Sequence, residues 1–126
     1  MSAKKPLAFI IEDDEDLSII FSGALNSAGF QTETLRHGQL AMDRLAEVSP
    51  DVVILDMHLP GVSGADILKY IRDETRMALT NVVVTTADAL MAEHVRDSAD
   101  LVLIKPITFS QLRDLTARLH PNTPED

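Results

Sequence analysis

Residues 52–64 read VVILDMHLPGVSG. The first four are Val, Ile or Leu without a polar break. Strands buried on both faces read this way, and such strands belong to parallel sheets. The run ends on Asp56, and the stretch after it, 57–64, holds two glycines and a proline, the composition of a loop. A buried strand therefore delivers a carboxylate into a glycine-containing loop.

Three more runs are of the same kind: 7–11 (LAFII), 82–84 (VVV) and 101–104 (LVLI). A fifth segment, 30–35 (FQTETL), alternates apolar and polar residues and fits an edge strand with one wet face. Helix-period stretches separate them. Leu17, Ile20, Phe21, Ala24, Leu25 and Ala28 share a face, with Gly29 as the C-terminal cap. Ala41, Met42, Leu45 and Val48 make a second face; Ala65, Leu68 and Ile71, with Ile67 beside them, make a third. Residues 88–98 are weakly patterned and allow only a short fourth helix. Phe109, Leu112, Leu115 and Leu119 make a fifth, opened by Thr108 and Gln111 at capping-box spacing.

Strand and helix thus alternate five times. That order predicts an α/β fold, a flavodoxin-like doubly wound (βα)5 three-layer sandwich with parallel sheet order 2-1-3-4-5. Residues 1–119 form its single domain. Residues 120–126 (HPNTPED) carry two prolines and no apolar periodicity, and read as a flexible C-terminal tail or the start of a linker.

With 126 residues, 45% of them apolar, the chain has room for one core and not for two. Twenty acidic against eleven basic residues leave a net charge of −9. That balance counts against nucleic-acid binding by this chain alone and against an anionic membrane surface, since both need Lys and Arg. There is no cysteine, hence no disulfide or thiolate chemistry. The apolar run behind Lys4 and Lys5 is five residues long, too short for a signal-peptide core or a membrane span. A soluble cytoplasmic protein is the expectation.

In an open α/β sheet, ligands bind beyond the carboxyl ends of the strands, where the strand order reverses. The first strand is followed by Glu12 and Asp13, and the third ends in Asp56. The fourth ends in Thr85 and Thr86, and the fifth is followed by Lys105 and Pro106. Residues 12–16 (EDDED) are all acidic. Acids at a helix start interact well with its dipole, which accounts for Asp14, Glu15 and Asp16, with Asp14 as the helix cap. Glu12 and Asp13 instead continue a buried strand, so with Asp56 they bring three carboxylates to one edge.

Two such charges 4 Å apart repel by about 4 kcal/mol at an effective dielectric near 20. A hard divalent cation relieves this. A few all-oxygen ligands, with room left for water and phosphate, suit Mg2+ better than a closed Ca2+ cage, and no His/Cys cluster favours zinc. A carboxylate can also act as nucleophile on phosphorus, which makes Asp56 a candidate phosphoacceptor with the metal neutralising the phosphoryl oxygens. The competing reading of Asp56 is a turn or cap residue. The Thr86 hydroxyl, at the last strand position, can bond a phosphoryl oxygen, whereas Thr85 reads as an ordinary strand threonine. Lys105 is the basic residue of this edge, an ion partner for the carboxylates and a point charge for a phosphoryl group. Pro106 restricts Lys105 to an extended backbone and permits a cis bond.

An acidic pair after the first strand, Asp after the third, Thr-Ala after the fourth and Lys-Pro after the fifth resemble the receiver domain of two-component response regulators. The resemblance covers residues 6–119. It implies that Asp56 accepts phosphate from a phosphohistidine on a sensor histidine kinase or histidine phosphotransfer protein. It implies that Asp13, Asp56 and the backbone carbonyl of His58 bind Mg2+ directly, and Glu12 through water. Thr86 would turn inward to the phosphoryl group, Lys105 would pair with it, and the Lys105–Pro106 bond would be cis. The His58 and Asp88 side chains would flank the site and tune the lifetime of the aspartyl-phosphate. The same resemblance implies a signalling phosphoacceptor rather than an enzyme, acting on an unnamed downstream effector, with homodimerisation left open.

The sequence departs from the family pattern in places. The segment from Thr86 to Lys105 is short, and the deficit falls around the fourth helix. Ser98-Ala99-Asp100 stands where Gly-Ala-Asp is common, and Ile107 replaces a common Phe. Val102 occupies the place of the switch aromatic, three residues before the lysine. His37, His94 and His120 read as solvated residues without a role.

Other readings fit less well. A small Mg-dependent phosphatase of the haloacid-dehalogenase kind needs a second Asp two positions after its nucleophile; His58 stands there, and no cap domain is present. A nucleotide- or flavin-binding module needs GxGxxG or GxxxxGK after the first strand, where this chain has acids that repel phosphate. A degenerate receiver that binds partners without phosphorylation conflicts with the complete set of site residues and draws its support from Val102.

Overall fold

Each apolar run becomes a strand. The strands are β1 (Leu7–Ile11), β2 (Gln31–Leu35), β3 (Val52–Asp56), β4 (Asn81–Thr86) and β5 (Leu101–Ile104). They form one parallel sheet in the order β2-β1-β3-β4-β5, as the sequence predicts. The computed structural model describes residues 4–121, so residues 122–126 of the expected tail lie outside them. Every position of β3 is buried, as a central strand between two helical layers requires. At the edges the pattern changes. β2 does not alternate as expected: Gln31 and Thr34 are exposed, and Thr32 and Glu33 are both half-covered by their contacts with Ser22 and Arg44. β5 is only half-buried and its Ile104 is 46% exposed, so the expectation of a strand buried on both faces fails there. With β4 on one side only, β5 lacks the neighbour that would cover it.

Five helices connect the strands: α1 (Glu15–Ser27), α2 (Gly38–Glu47), α3 (Gly64–Asp73), α4 (Ala89–Val95) and α5 (Phe109–Ala117), with a 3-10 turn at Thr75–Met77. Successive strand residues point to opposite faces, so the sheet has two cores. On one face Ala41, Leu45, Ile67, Leu68, Ile71 and Val95 pack on Phe9, Ile11, Val53, Leu55, Val82 and Val84. On the other, Phe21, Ala24, Leu25 and Leu112 pack on Ala8, Ile10, Val52, Ile54 and Val83. α2, α3 and α4 therefore cover one side, α1 and α5 the other.

Three helix faces differ from expectation. α1 leaves Ile20 40% exposed and buries Ser18, whose hydroxyl donates to the Glu15 carbonyl at 2.7 Å. α3 buries Gly64, Ile67, Leu68 and Ile71 and leaves Ala65 exposed. The reason is Gly64, where an added Cβ would lie 2.4 Å from the Asp56 carbonyl oxygen and 2.6 Å from Met57 Cα. That close approach turns Gly64 inward and Ala65 out. α5 buries Leu112 and Thr116, while Phe109 is exposed and Leu115 and Leu119 are half-buried. Thr116 can be buried because its hydroxyl donates to the Leu112 carbonyl at 2.7 Å.

The caps follow the sequence closely. Asp14 accepts from the Leu17 N–H at 2.9 Å, and Thr108 accepts from the Gln111 N–H at 3.0 Å. Gly29, just past α1, takes the positive φ of +97° that glycine tolerates. Two histidines read as roleless have partners. His37 caps α2, its Nδ1 accepting from the Leu40 N–H at 3.4 Å, and the His120 ring lies 5.2 Å from that of Phe30.

Candidate functional site

The carboxyl ends of β1, β3, β4 and β5 converge. β1 stops at Ile11, and the next residue, Glu12, is 1% exposed. Its N–H donates to the Leu35 carbonyl of β2 at 3.2 Å, which carries the ladder one step past the strand. Asp56, the last residue of β3, is 2% exposed, and Asp13 is exposed. Carboxylate oxygens of Glu12, Asp13 and Asp56 lie within 4.8 Å of one another. The sequence placed these three together, and the sheet order does so by setting β1 beside β3.

One ammonium faces them. Lys105 Nζ donates to Glu12 Oε1 at 3.0 Å and lies 3.5 Å from Asp56 Oδ1. The His58 N–H donates to the same Asp56 oxygen at 3.1 Å. The Lys105–Pro106 peptide is cis. Burial pushes the Glu12 carboxyl up to about 7; the Lys105 hydrogen bond works against this rise and the Asp56 charge adds to it. Burial alone would lower the Lys105 pKa, but the hydrogen bond to Glu12 and the charges of Glu12 and Asp56 leave it above its ordinary value. The two shifts differ in origin: burial dominates at Glu12, and the facing carboxylates raise Lys105.

Thr86 is fully buried. Its hydroxyl oxygen accepts from the Asp88 N–H at 3.0 Å and lies 3.4 Å from His58 Nε2. The Asp88 side chain in turn caps α4, accepting from Leu90 N–H at 2.9 Å and Met91 N–H at 3.3 Å. Thr86 and Asp88 therefore link the pocket to the start of α4. His58 is an exposed loop residue whose ring reaches Thr86, so it is not merely solvated. Thr85 points to the opposite face and is fully buried, and its hydroxyl has no partner among the described residues. Val102 is half-buried beside Val84 and packs on the core under α2, α3 and α4.

Reading strand ends alone missed one contributor. Arg36, directly after β2, donates from Nη2 to the Asp13 backbone carbonyl at 2.9 Å. The available signal was its position, a basic residue at the end of the strand beside β1.

A family model described as the response regulator receiver domain matches residues 8–117. This chain belongs to that family. The receiver is 34% identical over 110 residues to the phosphate regulon transcriptional regulatory protein PhoB of Rhizobium meliloti (strain 1021), covering 85% of this chain and 48% of PhoB. It is 29% identical over 102 residues to the polar-differentiation response regulator DivK of Brucella anthropi, covering 79% of this chain and 83% of DivK. The receiver thus spans about half the length of PhoB. Among solved structures, the chemotaxis response regulator CheY4 of Vibrio cholerae matches the receiver fold with a TM-score of 0.83 at 21% identity, over 92% of this chain and 99% of that one. The Mn(2+)-bound form of response regulator Rcp1 matches with a TM-score of 0.82 at 18% identity, over 94% and 97%. No helix of the described residues is long and apolar enough to cross a membrane.

Proposed function

We propose that this receiver accepts a phosphoryl group on Asp56 in a Mg2+ site. The donor would be a sensor histidine kinase or histidine phosphotransfer protein, and the modification would switch a surface read by a downstream effector. The observation that carries this reading is the charge imbalance: three carboxylates within 4.8 Å and one lysine.

The donor set fits a hard divalent cation, being all oxygen and short of positive charge, and the Rcp1 structure holds Mn2+. Asp13, Asp56 and the His58 backbone carbonyl would hold Mg2+ directly, and Glu12 through water. The cation supplies neutralisation of the charge on the phosphoryl oxygens during transfer. An Asp56 carboxylate oxygen forms the new bond to phosphorus as the P–N bond of the donor phosphohistidine breaks, and the imidazole leaves with the electron pair. Lys105, already 3.5 Å from Asp56 Oδ1, meets the incoming negative charge. Thr86 exchanges its Asp88 amide partner for a phosphoryl oxygen. The protein is then a phosphoacceptor that supports only its own phosphorylation and dephosphorylation, and it works in the cytoplasm. Its charge of −9 leaves DNA contact to other chains or domains.

With Mg2+ and acetyl phosphate, intact-mass measurement is expected to show one acid-stable, base-labile phosphoryl group per chain. Asp56→Asn is expected to abolish it; equal modification of that variant overturns the assignment. A second reading, a phosphorylation-independent binding module, rests on Val102. A wild-type chain that binds Mg2+ but takes no phosphoryl group from any donor would favour it.

A further inference from the structure

We propose that Arg36 is a positioning residue for Asp13 and, through it, for the cation site; this rests on the Mg2+ reading above. The turn from β1 to α1 has to send three consecutive acids in different directions. Glu12 is fixed by Lys105 at 3.0 Å and by its N–H on the Leu35 carbonyl at 3.2 Å. Asp14 is fixed by its N–H on Glu12 Oε2 at 3.2 Å, by its side chain on Leu17 N–H at 2.9 Å, and by its carbonyl on Ser18 N–H at 2.9 Å. Asp13, between them, is the exposed ligand candidate. Its peptide to Asp14 is held at the N–H by Glu12 and at the carbonyl by Arg36, whose Nη2 donates to the Asp13 oxygen at 2.9 Å from 23 positions away in the chain.

Leu35 and Arg36 are consecutive, so the end of β2 grips the turn at two points while contributing no carboxylate of its own. The guanidinium donates to a peptide oxygen and not to a carboxylate, so it leaves the ligand oxygens free. It orients the Asp13–Asp14 peptide and with it the direction in which Asp13 leaves the backbone. Groups that orient metal ligands without touching the metal contribute measurably to affinity.

Arg36 also carries a positive charge close to the acidic cluster, and this gives the test its sign. If charge were its only influence, removing it would tighten Mg2+ binding, because one competing cation disappears. If it positions Asp13, removing it weakens binding. Isothermal titration of Mg2+ into the full chain is expected to show Arg36→Gln weaker than wild type by about tenfold, the low end for outer-shell support because the contact is exposed. Arg36→Lys, which keeps the charge and a donor, is expected to fall between the two. Urea midpoints of all three in EDTA are expected to agree, which separates positioning from loss of fold. Unchanged or tighter Mg2+ binding in Arg36→Gln overturns the proposal. So does a weakening matched by an equal loss of metal-free stability. A wild-type chain that binds no Mg2+ removes the cation reading itself; wild-type binding with an unaltered variant removes only the role of Arg36.

Discussion

Both ends of this sheet carry aspartates, and they are used in opposite ways. At the amino end Asp51 accepts from the Leu7 N–H at 2.8 Å, and Asp100 accepts from the Val82 N–H at 2.7 Å and from Arg72 at 2.8 Å. Arg72 also donates to the Ser98 carbonyl at 2.6 Å and the Thr80 carbonyl at 3.0 Å, tying α3 to the starts of β4 and β5. There the acids are matched to donors. At the carboxyl end Glu12, Asp13 and Asp56 outnumber Lys105. The number of acids does not separate a structural end from a reactive one. Spacing does: a lone carboxylate bonded to a strand amide, as at Asp51 and Asp100, holds strands together, and three carboxylates sharing one lysine could hold a cation.

The contrast breaks most visibly on exchange of single aspartates. Asp56→Asn is expected to end phosphoryl uptake while raising metal-free stability by about 1–3 kcal/mol, because one of three repelling charges is gone. Phosphorylation by acetyl phosphate and urea unfolding in EDTA check the two halves. Asp100→Asn is expected to do the reverse: uptake persists, and stability falls by about 1–3 kcal/mol as the Arg72 contact is weakened and the Val82 amide is left poorly matched. Loss of uptake with no loss of stability in that variant would erase the distinction between the ends.

A pH series sharpens the same point. The Glu12 carboxyl sits at about 7 in the folded chain, against an ordinary value of 4.5. Between those values the folded chain keeps a proton that the unfolded chain has lost. The contribution of Glu12 to metal-free stability is therefore full below pH 4.5 and is lost as pH rises to about 7. Urea midpoints in EDTA should fall across that window, and Glu12→Gln should flatten the fall. Binding of Mg2+ competes with the same proton, so its affinity should rise over the same range. The smallest effect is expected at Thr85. Thr85→Val removes a buried hydroxyl with no partner and should raise the urea midpoint by no more than about 1 kcal/mol in stability, with uptake unchanged.

The sequence carried the strands and the gathering of Glu12, Asp13, Asp56 and Lys105 at one edge because both rest on short-range signals. Unbroken Val/Ile/Leu runs name the inner strands, and the residue after each run falls at the sheet edge by construction. Glu12, Asp13, Asp56, Thr86 and Lys105 are legible in this way. What stayed hidden depends on reach across the fold. Arg36 meets Asp13 only because β2 lies beside β1, and an arginine can reach many places. Gly64 set the inward face of α3 through a backbone contact that no hydrophobic pattern records, which is why Ala65 was read as buried. Phe109 was assigned to a core face that Thr116 occupies, because a threonine bonded to its own helix can be buried where its polarity suggests otherwise. β5 was read from its composition as buried on both faces, although the predicted order 2-1-3-4-5 already put it at an edge, where one neighbour cannot cover it.

α4 carries a consequence of its own. It is seven residues long, far below the length at which a helix holds itself in water. Its order is supplied from outside, by the Asp88 cap at its start and by buried Ala92 and Val95 beneath it. The Asp88 amide is in turn held by the hydroxyl of Thr86, the last residue of β4, which also lies 3.4 Å from His58 Nε2. The free energy separating a formed from a frayed α4 is therefore small, and part of it is set inside the acidic pocket. A partner docking on this helix would therefore meet a surface whose order depends in part on the Thr86 hydroxyl.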